Sequence, residues 1–191
     1  MFLDSHNHIS ADLETLGTDG QPVLLAIGAV RFNPEKDLDN PLDTFYRTID
    51  ISSCLKVGMT VDGGTLHWWV KQDREALACA FAGGSSLRQA LDDFYFWSAP
   101  DESADSGYLW GWSAAFDCTH IETACRLTGA TMPFDFRHQL CGRTVAKVAF
   151  PEGIKYEDYQ DTRYPNHHAL GDAIRQARII RAALQRLGAV R

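Results

Sequence analysis

The sequence predicts an α/β domain in which helices flank a mixed β-sheet. Strand patterns dominate the first 51 residues, helical spacings dominate from residue 62 onward, and one short strand pattern near residue 110 interrupts the helices. A chain of 191 residues has the length of one ordinary domain, so we expect residues 1–191 to form a single domain.

Apolar and β-branched runs predict three strands at the start of the chain. Residues 23–32 (VLLAIGAVRF) have the composition of a buried strand, and residues 7–14 alternate well enough to pair with it across a turn at 17–20. Residues 44–51 (TFYRTIDI) predict a third strand. Because the connections are short, we expect an antiparallel meander.

Helical spacing predicts most of the elements that follow. Asp62 is placed to cap a helix that runs on to Phe81, and another helix is expected over 87–97. Residues 108–112 predict a short central strand, and residues 115–127 predict the helix after it.

The last part of the chain is less regular until its final helix. Residues 136–150 fit a strand and a short helix, and residues 151–165 have the composition of a loop. Residues 168–187 have an amphipathic pattern that predicts a long closing helix, with Asn166 in position to cap it.

The composition is acidic, with 18 Lys and Arg against 25 Asp and Glu and a net charge of −7. That balance argues against a protein that coats nucleic acid through positive charge, but not against an enzyme whose carboxylates gather metal ions around phosphate. The five cysteines form no C-x-x-C pair, which disfavours a disulfide framework or a cysteine zinc site. The sequence has neither a leader pattern nor an apolar run of about 20 residues, so we expect a cytoplasmic protein that contacts no membrane.

Asp12 and Glu14 are the first residues whose placement is expected to cost electrostatic energy. Positions i and i+2 of a strand project to the same face, so the two carboxylates lie side by side and repel unless a cation or a proton sits between them. A single D-x-E pair on a solvated strand face has the same appearance. Taken alone, the pair is therefore a weak indication of a metal site.

Two later segments supply the other acidic candidates. Asp117 follows the predicted central strand where strand passes into helix, a position that the helix dipole alone also favours for an aspartate. In the segment NHHALGDA, His167 and His168 precede Asp172, and an ordinary surface pair of His168 with Asp172 is the plain alternative. Gly171 inside a helix costs about 1 kcal/mol relative to alanine, which a close contact or local packing would explain.

Together these residues match one mechanism. Four carboxylates can hold two divalent ions about 3.5–4 Å apart, which clamp the attacking and leaving oxygens of a phosphodiester. Oxygen-rich ligand sets favour Mg²⁺ or Mn²⁺ over zinc. A histidine that titrates near neutral pH can take the proton from the attacking water.

Three motifs resemble those of the DEDDh 3′→5′ exonucleases, a family with a ribonuclease H-like fold. Residues 11–17 (ADLETLG) resemble the first motif, D-x-E-T; residues 116–117 (FD) resemble the second; and His167, five positions before Asp172, resembles the third. The resemblance implies hydrolysis of nucleic acid from the 3′ end to nucleoside monophosphates, with His167 rather than His168 as the general base. The implied ligands for two Mg²⁺ or Mn²⁺ ions are Asp12, Glu14, Asp117 and Asp172.

Further features are similar to one bacterial and phage branch of that family, which includes a mycobacterial exoribonuclease that shortens adenylate tails. They are the strand LLAIGAVRF after the first motif, the segment TLHWW followed by Gln72, and the pair Arg143-Thr144. The branch implies a homodimer that acts on single-stranded 3′ ends, with RNA favoured over DNA. The residues implied to contact the terminal nucleotide are Thr15, Leu16 and Phe116.

One departure from the branch bears on substrate preference. The branch commonly has W-G-N-G before its second motif, whereas this chain has W-G-W-S, with Trp112 in place of the amide. An aromatic ring there could stack on a base or simply pack. Adjacent helical residues face different directions, so of Trp68 and Trp69 at most one meets nucleic acid, and packing roles are favoured for both.

Two alternatives stay open at the level of sequence. Residues 3–9 (LDSHNHI) resemble the D-x-H-x-H start of amidohydrolases and TatD-type nucleases, in which His6 and His8 would bind a metal, although such barrels usually need about 250 residues. The other alternative is a ribonuclease H-like domain that only binds nucleic-acid ends or a partner. The presence of all four carboxylates favours catalysis over that alternative.

Overall fold

The computed structural model describes residues 7–36, 38, 42–98 and 107–189. Over these residues, five strands form one sheet in the order β3-β2-β1-β4-β5. The strands are β1 (His8–Thr15), β2 (Leu24–Phe32), β3 (Thr44–Thr48), β4 (Tyr108–Gly111) and β5 (Gln139–Cys141). β2 is antiparallel to β1 and β3, whereas β4 is parallel to β1 and β5. The predicted meander and the predicted mixed sheet are confirmed.

Helices pack on both faces of this sheet. They are α1 (Ile51–Lys56), α2 (Gly63–Trp69), α3 (Arg74–Ala80), α4 (Leu87–Ser98), α5 (Asp117–Thr128), α6 (Gly142–Ala149) and α7 (Ala169–Arg186). Within the described ranges, no helix is both long enough and apolar enough to cross a membrane. The α/β fold class predicted from the sequence is confirmed.

The alternation of β1 sends its side chains to two different cores. Ile9, Ala11 and Leu13 are buried in the core that α4 and α5 close. The opposite face is covered by α7, and the second core consists of Val30, Phe32, Trp110, Leu170, Ile174, Ala177, Ile180 and Leu184. Because successive strand residues alternate between faces, Asp12 and Glu14 point to the face that α7 covers.

The predicted helix from Asp62 to Phe81 is wrong in its continuity. Asp62 does cap α2, since its side chain accepts from the backbone N–H of Thr65. The chain then leaves the helix, and Asp73 caps α3 by accepting from the N–H of Ala76. A capping side chain that accepts from the first N–H groups of a helix favours a new helix start at that point. The continuous apolar spacing therefore covers two separate helices.

Two other predicted boundaries are corrected. The third strand ends at Thr48 instead of continuing to residue 51, because Asp50 accepts from the N–H groups of Ser52 and Ser53 and starts α1. The final helix is capped by His168 and not by Asn166. The ambiguous residues 136–150 contain both a strand, β5, and a short helix, α6.

Candidate metal centre

Three of the four predicted carboxylates converge on one point. Asp12 and Glu14 of β1 and Asp172 of α7 each offer an oxygen atom, and these atoms lie within 4.8 Å of one another. Glu14 is buried, while Asp12 and Asp172 are half-buried. The cluster therefore joins residues that are about 160 positions apart in the sequence.

The close approach of α7 to the sheet explains this convergence. Gly28 pairs with Asp12 across β1 and β2. A Cβ atom built on Gly28 would lie 2.2 Å from the carbonyl carbon of Ala169 and from the nitrogen of Leu170. The first turn of α7 thus rests on the glycine, which places Asp172 beside the two carboxylates of β1.

Asp117, the fourth predicted carboxylate, adjoins this cluster at the start of α5. Its Oδ2 accepts from the backbone N–H of Ser113 at 3.1 Å. A Cβ atom on Gly111, the last residue of β4, would lie 2.8 Å from the same oxygen, so the glycine makes room for the carboxylate. Asp117 lies outside the group whose oxygens fall within 4.8 Å, but its charge raises the pKa of Asp12 and of Glu14.

Burial and crowding make these carboxyl groups reluctant to ionise together. Burial raises the pKa of Asp12 well above its ordinary value, and the charges of its three acidic neighbours add to the shift. Burial, followed by repulsion from Asp172 and Asp117, raises the pKa of Glu14 to about 8. Burial also raises the pKa of Asp117, to about 7, and shifts that of Asp172 upward. Four carboxylates that repel in this way are stabilised as anions by bound cations.

The donor set fits a divalent ion such as Mg²⁺ or Mn²⁺. Oε1 of Glu14 is buried and has no hydrogen-bond partner among the described residues, a position that is costly for a carboxylate unless a cation or proton reaches it. The converging atoms are all carboxylate oxygens, which are the ligands that these two ions prefer.

Two neighbours of the cluster were not predicted from the sequence. Gln176 is buried on α7, and its Nε2 donates to Oδ1 of Asp12 at 2.7 Å. Arg175 places Nη2 3.0 Å from Oδ1 of Asp172 and lowers the pKa of Glu14 and of Asp172. Gln176 lies four positions after Asp172, so helical spacing puts both on one face of α7, a signal that could have identified it.

His167 stands at the edge of the cluster. Its φ of 58° places it in the left-handed region, which is uncommon for residues other than glycine. Its ring centroid lies 4.8 Å from that of Trp68 and 6.3 Å from that of Trp69. Burial raises the pKa of Asp172, and the charges of Arg175 and then of His167 act against that rise.

His168 packs inside the protein and caps α7, and does not form the surface pair with Asp172 that was considered from the sequence. It is buried, and its Nδ1 accepts from the N–H of Gly171 at 3.4 Å to cap α7. The ring stacks on Tyr46, with centroids 4.5 Å apart, and also contacts Tyr164. A Cβ atom on Gly171 would lie 2.6 Å from Cβ of Tyr164, so packing explains this glycine.

A cavity of about 440 Å³ opens beside Glu14, between the end of β1 and α2. Thr15 lines it, together with Trp68 and Trp69. Leu16 is buried in the core, and Phe116 packs edge-on against His120, with ring centroids 4.4 Å apart. The cavity wall includes neither Leu16 nor Phe116, and their contact with a nucleotide stays a prediction.

The remaining aromatic candidates are placed as follows. Trp69 is buried, and its Nε1 donates to the backbone oxygen of Thr15 at 2.9 Å, which is the packing role predicted for it. Trp68 is 42% exposed. Trp112 packs edge-on against Tyr156 at a centroid distance of 5.9 Å.

A larger cavity, of about 670 Å³, lies along α7, and none of the four candidate carboxylates lines it. Asp161 is buried in its wall and pairs with Arg163 at 2.7 Å and with Arg178 at 3.3 Å. The side-chain hydrogen bond from Arg163, with the charges of Arg163 and Arg178, outweighs the effect of burial and lowers the pKa of Asp161 to about 2. These charges stabilise the loop before α7 and are separate from the candidate centre.

The sequence matches the model of one protein family over residues 7–184. That family is described as the Rv2179c-like 3′-5′ exoribonuclease domain. The chain belongs to this family. It is accordingly a 3′→5′ exonuclease, and the non-catalytic alternative is set aside. No curated protein matches the sequence significantly.

Solved structures of other proteins share the fold of this Rv2179c-like exonuclease. Pop2p of S. pombe, in a form with Mg²⁺ and Mn²⁺ bound, is 10% identical with a TM-score of 0.63, over 93% of this chain and 82% of that one. The nuclease domain of 3′hExo, a DEDDh family member bound to rAMP, is 15% identical with a TM-score of 0.59, over 94% and 92%. E. coli exonuclease I with single-stranded DNA is 15% identical with a TM-score of 0.62, over 95% of this chain but only 41% of that one. At these identities the likeness establishes the ribonuclease H-like exonuclease fold.

The amidohydrolase alternative is overturned for this Rv2179c-like chain. Its first histidine, His6, lies outside the described residues. His8 is fully buried beneath α7, where its Nδ1 accepts from the indole N–H of Trp110 at 2.9 Å and its ring contacts Phe32 and Tyr108. The open sheet and the family match both contradict a barrel.

Proposed function

We propose that this exonuclease removes nucleoside monophosphates from the 3′ end of single-stranded RNA by a two-metal-ion mechanism. The observation that supports it most strongly is the convergence of Asp12, Glu14 and Asp172 within 4.8 Å, around a buried oxygen of Glu14 that has no partner among the described residues. Asp117, at the border of the cluster, would complete the ligand set for two Mg²⁺ or Mn²⁺ ions.

Divalent ions held by these carboxylates would lower the pKa of a bound water and stabilise the charge that develops on the phosphate. In the proposed reaction the water oxygen attacks phosphorus, and the bond from phosphorus to the 3′ oxygen of the preceding nucleotide breaks. His167 accepts the proton that the water loses. The 3′ oxygen that leaves takes up a proton, so one nucleoside 5′-monophosphate and a strand shortened by one nucleotide are formed.

The cavity beside Glu14 supports a place for the terminal nucleoside. Its volume of about 440 Å³ falls within the roughly 300–1,000 Å³ of small-ligand sites. Among the described residues that line it, none is Lys or Arg, while Glu14 and Asp62 supply two carboxylates. Such a wall suits a neutral base and sugar better than a phosphate, which would lie at the metal ligands.

The expectation of RNA over DNA rests on the family, which is described as exoribonucleolytic. A protein distinguishes the two through the 2′-hydroxyl of the sugar. The homodimer implied by the resemblance remains a prediction, and light scattering of the purified protein would test it.

The proposed function is tested with matched RNA and DNA oligonucleotides of one sequence, labelled at either end and incubated with Mg²⁺ or Mn²⁺. We expect a 3′ label to leave at once as a mononucleotide and a 5′ label to yield a descending ladder, with RNA degraded faster. Release of a 5′ label first, or internal cuts, would contradict the proposed polarity. Equal or faster degradation of DNA would contradict the proposed RNA preference alone.

A further inference from the structure

The short helix α2 is tied at both ends to the end of β1 that carries Glu14. At its start, the N–H of Asp62 donates to the backbone oxygen of Leu16 at 2.7 Å. At its end, the indole N–H of Trp69 donates to the backbone oxygen of Thr15 at 2.9 Å, and Trp69 is buried. The position of α2 relative to the metal ligands of β1 is therefore well determined.

Trp68, the residue before this anchor, faces a different direction. Its ring meets the imidazole of His167 edge-to-face, with centroids 4.8 Å apart and an angle of 80° between the ring planes. Aromatic rings favour this geometry over a face-to-face sandwich. One helix thus contacts both the strand of Asp12 and Glu14 and the histidine that precedes α7.

The orientation of the His167 side chain depends on this ring contact, because His167 lies outside the regular helix. It lies before α7, which begins at Ala169, and its backbone occupies the left-handed region at φ 58°. Its neighbour His168 is held by a cap hydrogen bond and two aromatic contacts, whereas the ring contacts of His167 are those with Trp68 and Trp69 among the described residues.

Trp68 is incompletely buried, so packing in the core uses only part of its ring. The side chain is 42% exposed and also lines the cavity beside Glu14. A large apolar ring left partly in water lowers its own contribution to stability, because less of its surface is removed from solvent. The Trp68 ring contacts the rings of His167 and Trp69.

We infer that Trp68 is a positioning residue for catalysis, which holds the imidazole of His167 toward the carboxylate cluster. The inference rests on the proposed function, in which His167 is the general base. Because catalytic groups must be held close to their productive geometry, loss of the indole should reduce kcat by about 10- to 100-fold.

The test is a double-mutant cycle on steady-state hydrolysis of 5′-labelled RNA at saturating Mg²⁺, from which kcat and KM are obtained. Trp68→Leu should lower kcat in the wild-type background and have little further effect when combined with His167→Ala. Trp68→Phe, which keeps an aromatic edge, should recover most of the lost rate. Phe96→Leu removes an exposed aromatic ring on α4 and serves as the matched control, with kcat unchanged.

Each other outcome overturns the inference or the function beneath it. An equal loss of kcat in the presence and absence of His167 would show that Trp68 acts independently, and a rise in KM with unchanged kcat would make it a substrate contact only. If His167→Ala itself hydrolyses RNA at the wild-type rate, the proposed general base is wrong. Should Trp68→Leu lower the melting temperature markedly, Trp68→Met takes its place in the same cycle.

Discussion

The side-chain amide of Gln176 donates a hydrogen bond to Oδ1 of Asp12 across 2.7 Å, joining α7 to the first candidate metal ligand of β1. Gln176 is buried and Asp12 is half-buried, so the bond is partly shielded from competing water. The contact orients Asp12 in the way that outer-sphere partners orient metal ligands in other proteins.

Replacement of Gln176 by Leu should lower kcat/KM by roughly 10- to 100-fold, the usual effect of removing a partner of a metal ligand. The melting temperature should change much less than activity, because leucine keeps the volume of the buried side chain. Gln185→Leu on the exposed part of the same helix is the control and should keep wild-type kinetics. Wild-type activity in Gln176→Leu would show that Asp12 needs no support from α7.

The two adjacent histidines should respond to substitution in different ways. His167→Ala should slow hydrolysis by a factor on the order of 10² to 10⁴ with metal affinity retained, since it removes the proposed general base and none of the proposed metal ligands. His168→Ala should chiefly lower the melting temperature, because it removes the cap of α7 and buried ring contacts. Rates, melting temperatures and Mn²⁺ affinities measured on both variants check the assignment. A larger rate loss in His168→Ala with an intact fold would transfer the role of base to that residue.

The metal-free protein should lose stability as pH rises. Glu14 has a folded-state pKa of about 8, above its ordinary value of 4.5, so the folded state retains a proton that the unfolded state releases between these values. Its stabilising contribution is complete below about pH 4.5 and is lost as pH rises through 8. Mg²⁺ bound at the candidate centre would displace this proton, and the stabilising effect of Mg²⁺ should therefore grow over the same range.

Melting temperatures measured from pH 5 to pH 8.5, with EDTA or with Mg²⁺, test this linkage. Glu14→Gln carries no titrating group at that position and should flatten the metal-free profile. The account would be contradicted by a wild-type profile in EDTA that rises steadily to pH 8.5 and is unchanged by Glu14→Gln.

The packing of α7 on Gly28 should be sensitive to a single methyl group. Gly28→Ala places a Cβ atom 2.2 Å from the backbone of α7, which must shift and carry Asp172 with it. We expect a loss of about 1–3 kcal/mol in the free energy of unfolding, together with a loss of activity that exceeds what the unfolded fraction explains. Gly63→Ala, where a Cβ atom meets no other atom within 4 Å, should leave stability nearly unchanged. Denaturant titrations of the two variants give the comparison, and equal stabilities would refute the close contact.

The sequence predicts placements that depend on the spacing of residues within one element. The i, i+2 spacing puts Asp12 and Glu14 on one face of β1, and Asp62 caps the helix that it was expected to cap. The sequence does not predict contacts between segments that are far apart in the chain. The approach of α7 to Gly28 depends on how two elements dock, and neither element contains a pattern that reveals the other.

The errors arose where local hydrogen bonds competed with apolar periodicity. Asp73 begins a new helix within a run whose apolar spacing continues, and Asp50 turns the end of the third strand into a helix. The predicted cap of α7 was wrong because His168 accepts a helix N–H, a role more typical of the short polar side chain of Asn166. The contact of Trp68 with His167 has no counterpart in the sequence, since only the folded chain brings the two rings together.

The most direct test of the central claim is the Mg²⁺-dependent rate of shortening of 5′-labelled single-stranded RNA by Asp172→Asn. The claim is that carboxylates from three separate segments act together on divalent ions, and Asp172 is the ligand contributed by α7. Asparagine keeps the shape of the side chain but removes its charge, so we predict a folded protein whose rate falls by a factor on the order of 10³. A folded Asp172→Asn protein that shortens RNA at the wild-type rate would contradict the account.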